Sequence, residues 1–199
     1  MKTLQLNSIT NFKFQTMKTM KNISFYALLS IAMIGCSDDD TAPEVINDEE
    51  LITTVILTLT QESGDQVVLT TVDLDGDGPD EPVTTVVGNF AENTQYQGAV
   101  RFLNETETPA EDITEEVIEE ADEHQVFYTV SEGLNITTTY QDFDDNDNPL
   151  GVNITLETGE ASSGSLTVTL RHEPVKPNDG LDSAGGETDI ATSFDVTIE

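Results

Sequence analysis

Two histidines and two runs of carboxylates are the residues of this chain best able to do chemistry. His124 is in phase with Val126, Tyr128 and Val130, and His172 with Leu166, Val168 and Leu170. Both imidazoles are therefore expected on inward faces, at or just beyond strand ends. If those ends meet, the two rings with Glu123 or Glu173 could bind zinc or copper, which accept nitrogen and oxygen donors. The competing expectation is a pair of hydrogen-bonded histidines at the rim of a core. The first acidic run places Asp73, Asp75, Asp77 and Asp80 around Gly76 and Gly78, and the second combines Asp142, Asp144, Asp145 and Asp147 with Asn146 and Asn148. Oxygen-rich loops with glycine at the sharp turn are calcium ligands, so calcium is the one cofactor these loops suggest. It would brace a loop rather than do chemistry. The same residue types are also what β-turns prefer.

Catalysis is not expected. The only cysteine is Cys36, and the chain contains no GxSxG, P-loop or HExxH pattern. A carboxylate pair for glycoside hydrolysis would leave no mark in so acidic a sequence. Tryptophan is absent, which weakens any sugar-stacking platform, and Tyr96, Tyr128 and Tyr140 have phases that suit a core. Beyond Cys36 only Arg101, Arg171 and Lys176 oppose all 39 acids. Such a surface repels phosphate backbones, excludes nucleic acid as a partner, and attracts cations and basic partners.

The lone cysteine has a different explanation. Lys18 and Lys21 precede an apolar run at 23–34, too short for the ~20 residues a membrane-spanning helix needs but right for a signal peptide. Met33-Ile34-Gly35-Cys36 follows directly and resembles a lipobox, which implies lipidation of Cys36 and removal of residues 1–35. The stretch before Met17 adds little, and a start at Met17 would give a more compact signal. Multiple acyl chains, at ~0.8 kcal/mol per buried methylene, make a near-permanent membrane tether. Ser37, Asp38, Asp39 and Asp40 then resemble the lipoprotein export signal of Bacteroidota, which implies the outer face of the outer membrane.

Residues 36–49 read as the lipidated cysteine and an acidic tether, and residues 50–199 as one folded domain. Alternation begins near Leu51, with Leu51, Val55, Leu57 and Leu59 on one face. The turn at Ser63-Gly64-Asp65 predicts a hairpin to a strand at 66–72. Further strands are expected at 83–90, 95–103, 125–130, 134–141, 152–157, 166–171 and 190–198. In the last, Ile190, Phe194, Val196 and Ile198 share the inward face and Asp189, Asp195 and Glu199 the outward one. Thr108-Pro109-Ala110-Glu111 supplies capping residues, and Ile113, Val117 and Ala121 recur at helical spacing, which predicts one amphipathic helix over 109–123. The fold class is all-β: an antiparallel sandwich, immunoglobulin-like or similar, with one short helix.

The Cys-Ser-Asp-Asp-Asp start, Ala42-Pro43-Glu44-Val45-Ile46-Asn47, the stretch 119–128 and Leu170-Arg171-His172-Glu173-Pro174 are similar to a group of small acidic flavobacterial surface lipoproteins. Members of that group are sometimes labelled type 1 periplasmic-binding-fold proteins, a label whose two α/β lobes the strand pattern here does not support. The resemblance implies association with TonB-dependent outer-membrane receptors. The expected function is thus a non-catalytic ligand-binding or accessory module of the cell envelope. The alternatives are a metal-binding lipoprotein, through calcium or through zinc or copper, and a structural envelope protein.

Overall fold

In the computed structural model, residues 51–199 other than Asp77 are described; the residues expected to carry lipidation and export, Cys36 to Asp40, lie outside them. The alternation of apolar side chains with threonine produces what it should, strands with one dry and one wet face. β1 (Thr54–Gln61), β2 (Gln66–Val72), β3 (Val83–Val87) and β4 (Gln95–Asn104) open the domain. A two-residue strand β5 (Glu111–Asp112) leads into α1 (Ile113–Glu119). Then come β6 (His124–Val130), β7 (Ile136–Tyr140), β8 (Asn153–Thr158), β9 (Ser162–His172), α2 (Leu181–Ala184) and β10 (Glu187–Ile198).

The strands form two antiparallel sheets. One runs in the order β3-β2-β1-β4-β8-β7, with β5 paired to β4, and the other in the order β10-β9-β6. Val55, Leu57, Leu59, Tyr96, Val100, Phe102, Ile154 and Leu156 from the larger sheet share one core with Val126, Leu166, Val168, Leu170, Phe194, Val196 and Ile198 from the smaller. That is an all-β sandwich, held chiefly by apolar burial between the sheets. A buried bond of 2.6 Å between the hydroxyls of Thr71 and Thr192 crosses the core. Close packing explains Gly98 on β4, where an added Cβ would sit 2.7 Å from Ile154 Cγ1 and 2.9 Å from Leu59 Cδ2.

Several expectations need correction. Leu51 lies ahead of the first ladder and is exposed, while Ile52 is buried in its place. The strand expected to reach residue 90 ends at Val87, and Phe90 makes only an isolated parallel bridge to Ile198. The helix is shorter than its periodicity suggests, because Glu111 and Asp112 pair with Asn104 and Leu103 of β4 instead of entering the helix. Asp112 is consequently the N-cap, its carboxylate accepting from the backbone N–H of Thr114 at 3.3 Å. Thr114 pins α1 to the sheet: its hydroxyl accepts from Phe102 N–H at 2.9 Å and donates to Phe102 C=O at 3.3 Å. No helix among the described residues is long and apolar enough to cross a membrane.

Candidate metal centre

β6 and β9 are adjacent and antiparallel, and their register sets His124 directly opposite His172. Cross-strand neighbours on one face stand close enough for their side chains to interact. The two imidazoles stack with centroids 4.7 Å apart and planes 21° from parallel. Both residues are buried, His124 at 0% and His172 at 3% exposure. The ring nitrogen Nδ1 of His124 lies 3.3 Å from the carbonyl of Glu120, just past the end of α1. With Nδ1–H as the donor to that carbonyl, the end of α1 sets the orientation of the ring.

The third member was placed on the wrong face by sequence alone. β9 and β10 pair Thr188 with Arg171 and then Ile190 with Leu170, so the ladder skips Asp189. This bulge inserts one residue and turns its side chain out of the normal alternation. The Asp189 side chain is fully buried, and its Oδ1 lies 4.0 Å from His172 Nδ1. Strict alternation counted back from Phe194 puts Asp189 in solvent; the bulge puts it in the core. Gly186 permits the tight approach that starts β10. Its φ is +69°, and a Cβ there would lie 2.2 Å from the His172 carbonyl.

Two sets of three ligand-bearing side chains have their donor atoms within 4.8 Å of one another among the described residues. One is His124, His172 and Asp189; the other is Glu123, His172 and Glu173. The first is interior, and the glutamates of the second are exposed, so His172 is shared between a buried set and a surface set.

Beneath this cluster lies an ion pair that the sequence did not single out. Lys176 Nζ donates to the carbonyls of Ala121 and His124, each at 2.6 Å, and stands 3.5 Å from Asp144 Oδ2. Its side chain is 5% exposed and that of Asp144 1%. Asp144 feels burial, which raises its pKa. Hydrogen bonds from Asn148 and Asn146 and the Lys176 charge outweigh that, and its carboxyl is held below the usual 3.8. Lys176 is pushed below 10.5 by burial, against the opposing pull of Asp144 and Asp122.

Among the described residues, neither acidic loop gathers a set of the kind His172 belongs to. Asp144 Oδ1 accepts from the N–H groups of Asn146 and Asn148 at 2.8 and 2.9 Å, and the Asn148 amide reaches both carboxylate oxygens. Asp142 accepts from Gly151 N–H, Asn153 N–H and Asn153 Nδ2 at 2.8, 2.8 and 3.0 Å. These carboxylates are directed at their own loop, while Asp145 and Asp147 point to solvent or lie near the surface. In the first loop Asp75 Oδ2 accepts from Asp80 N–H at 3.2 Å, Asp73 is half-buried, and Asp77 lies outside the described residues. A separate shallow depression of about 690 Å³ is lined by hydroxyl and amide side chains, among them Thr60, Gln61, Asn93 and Gln97.

No family model, curated protein or solved structure matches this chain.

Proposed function

We propose that this chain is a cell-envelope lipoprotein, tethered by lipid on Cys36, whose β-sandwich serves as a non-catalytic binding or accessory module on the outer membrane. The observation that carries the reading is the position of the only cysteine. It closes an apolar run too short to span a bilayer, and Ser37-Asp38-Asp39-Asp40 follow it at once. The folded strands begin about a dozen residues later, at Thr54, so the intervening acidic segment suits a tether between lipid and domain. The non-catalytic part is supported by how the reactive groups are employed. Lys176 and Asp144 are paired with side chains 5% and 1% exposed, and both imidazoles are buried. A TonB-dependent receptor is the partner that the resemblance to flavobacterial lipoproteins implies.

The test is metabolic labelling with a clickable fatty acid in a bacterium with a lipoprotein pathway. Incorporation that disappears in Cys36→Ala supports the reading, and an unlabelled wild-type chain sinks it. Protease shaving of intact cells then addresses the face. Asp38, Asp39 and Asp40 changed together to Asn should retain the label but lose surface exposure. Cross-linking in intact outer membranes that recovers no receptor would remove the accessory role.

A further inference from the structure

The geometry points to a divalent transition-metal site, of the zinc class, formed by His124, His172 and Asp189 where β6, β9 and β10 meet. This goes beyond the envelope reading and does not depend on it, since every ligand lies in the folded sandwich. Two imidazoles and one carboxylate are a donor set that suits zinc and copper and ill suits calcium or magnesium, which take oxygen. Three protein ligands leave a fourth position for water or a small anion.

Distances fit with modest closure. The three donor atoms lie within 4.8 Å of one another. Tetrahedral zinc with bonds of ~2.0–2.1 Å needs donor separations of roughly 3.3 Å. Each atom must therefore move inward by about an ångström, and the stacked rings, 21° from parallel, must turn so that both nitrogen lone pairs meet the ion. The outer groups match what metal-bound histidine requires. The Glu120 carbonyl lies 3.3 Å from His124 Nδ1 and fixes that ring's orientation. The bulge at Asp189 is the second, independent observation. A ladder of unbroken register would leave that carboxylate in water; the skipped rung buries it beside His172, with Oδ1 4.0 Å from Nδ1. Glu123 and Glu173 give the site a mouth. They are exposed, share His172 with the interior set, and would collect a cation at the surface and pass it inward.

The experiment uses the full chain in detergent, stripped with chelator, reloaded with zinc alone and dialysed. One zinc per chain should remain, and His172→Gln and Asp189→Asn should each lose at least ten-fold in affinity, read by competition with a chromophoric chelator. Asp75→Asn should bind as the wild type does. Zinc that binds His172→Gln as tightly as wild type would mean adventitious capture by the acidic surface and overturns the site. So does a wild-type chain that retains no zinc; the three groups are then a buried imidazole–carboxylate cluster and nothing more. Should the variants fail to fold, copper-loaded wild type decides. Electron paramagnetic resonance with hyperfine coupling to two imidazole nitrogens supports the site, and a spectrum with oxygen ligands only overturns it. Failure here leaves fatty-acid labelling at Cys36 untouched, so the two readings fall separately.

Discussion

Replacing Lys176 by Met should destabilise the domain by about 3–5 kcal/mol, the range for removing one partner of a buried ion pair. The magnitude follows from what the ammonium holds. It donates to two carbonyls at 2.6 Å and stands 3.5 Å from a carboxylate that is itself 1% exposed. Hydrogen bonds to a charged group contribute roughly 1.5–3 kcal/mol each. Methionine keeps most of the apolar stem, so little of the loss is packing. Asp144 retains its amide donors from Asn146 and Asn148, which keeps the loss nearer the lower bound. For a domain of this size each kcal/mol shifts the melting temperature by about 2–4 °C, so a fall on the order of 10 °C is expected. Asp144→Asn should also destabilise, and the double variant should lose less than the sum, with a coupling of about 1–3 kcal/mol. Urea and thermal unfolding of the four proteins measure the cycle. A loss below about 1 kcal/mol for Lys176→Met, or strictly additive single effects, would refute the reasoning, since that is how a solvated surface pair behaves.

Other outcomes follow from the same structure. The lowered pKa of Asp144 means that its stabilisation is fully present above the unfolded value and is lost as pH falls through the folded one, so the acid limb of a stability–pH curve should be shallower in Asp144→Asn. Tyr128 is raised well above 10.0 by burial and by Tyr140 and Asp142, and Tyr140 is raised by burial. The folded state therefore keeps protons that the unfolded state releases above 10.0. Stability should fall as pH rises past that value, and ultraviolet titration should show both phenols ionising later than free tyrosine, Tyr128 the later of the two. Thr71→Val strands the Thr192 hydroxyl in the core and should cost about 1–3 kcal/mol, whereas Thr71→Val with Thr192→Val should be nearer neutral by denaturant unfolding. Asp142→Ala removes three hydrogen bonds from the loop before β8 and should lower the melting temperature with or without calcium. A loss seen only when calcium is present would restore that loop as an ion site.

Local pattern determined much of this protein. The alternation of Val, Leu and Ile with Thr is a period-two signal, and it specified the strands and the inward phase of His124 and His172, because a strand's side chains must alternate whatever it packs against. The short apolar run, Cys36 and the acids after it are read as linear chemistry, and they lie outside the residues the structure describes. Pairing was not legible in that way. The helix lost its first turn because Glu111 and Asp112 found partners on β4, a choice made by contacts distant in sequence. Lys176 was invisible as a functional element, since nothing in its neighbours announces that it reaches the Ala121 and His124 carbonyls. Asp142 and Asp144 looked like calcium ligands by composition, yet their oxygens are aimed at amides that only the folded loop brings near. The two imidazoles meet because β6 and β9 pair in one register, with residue 124 against residue 172. Asp189 joins them because a bulge, a feature with no one-residue signature, reverses the face of a single side chain. Sequence set which residues could be donors; register and one skipped rung decided which of them share a site.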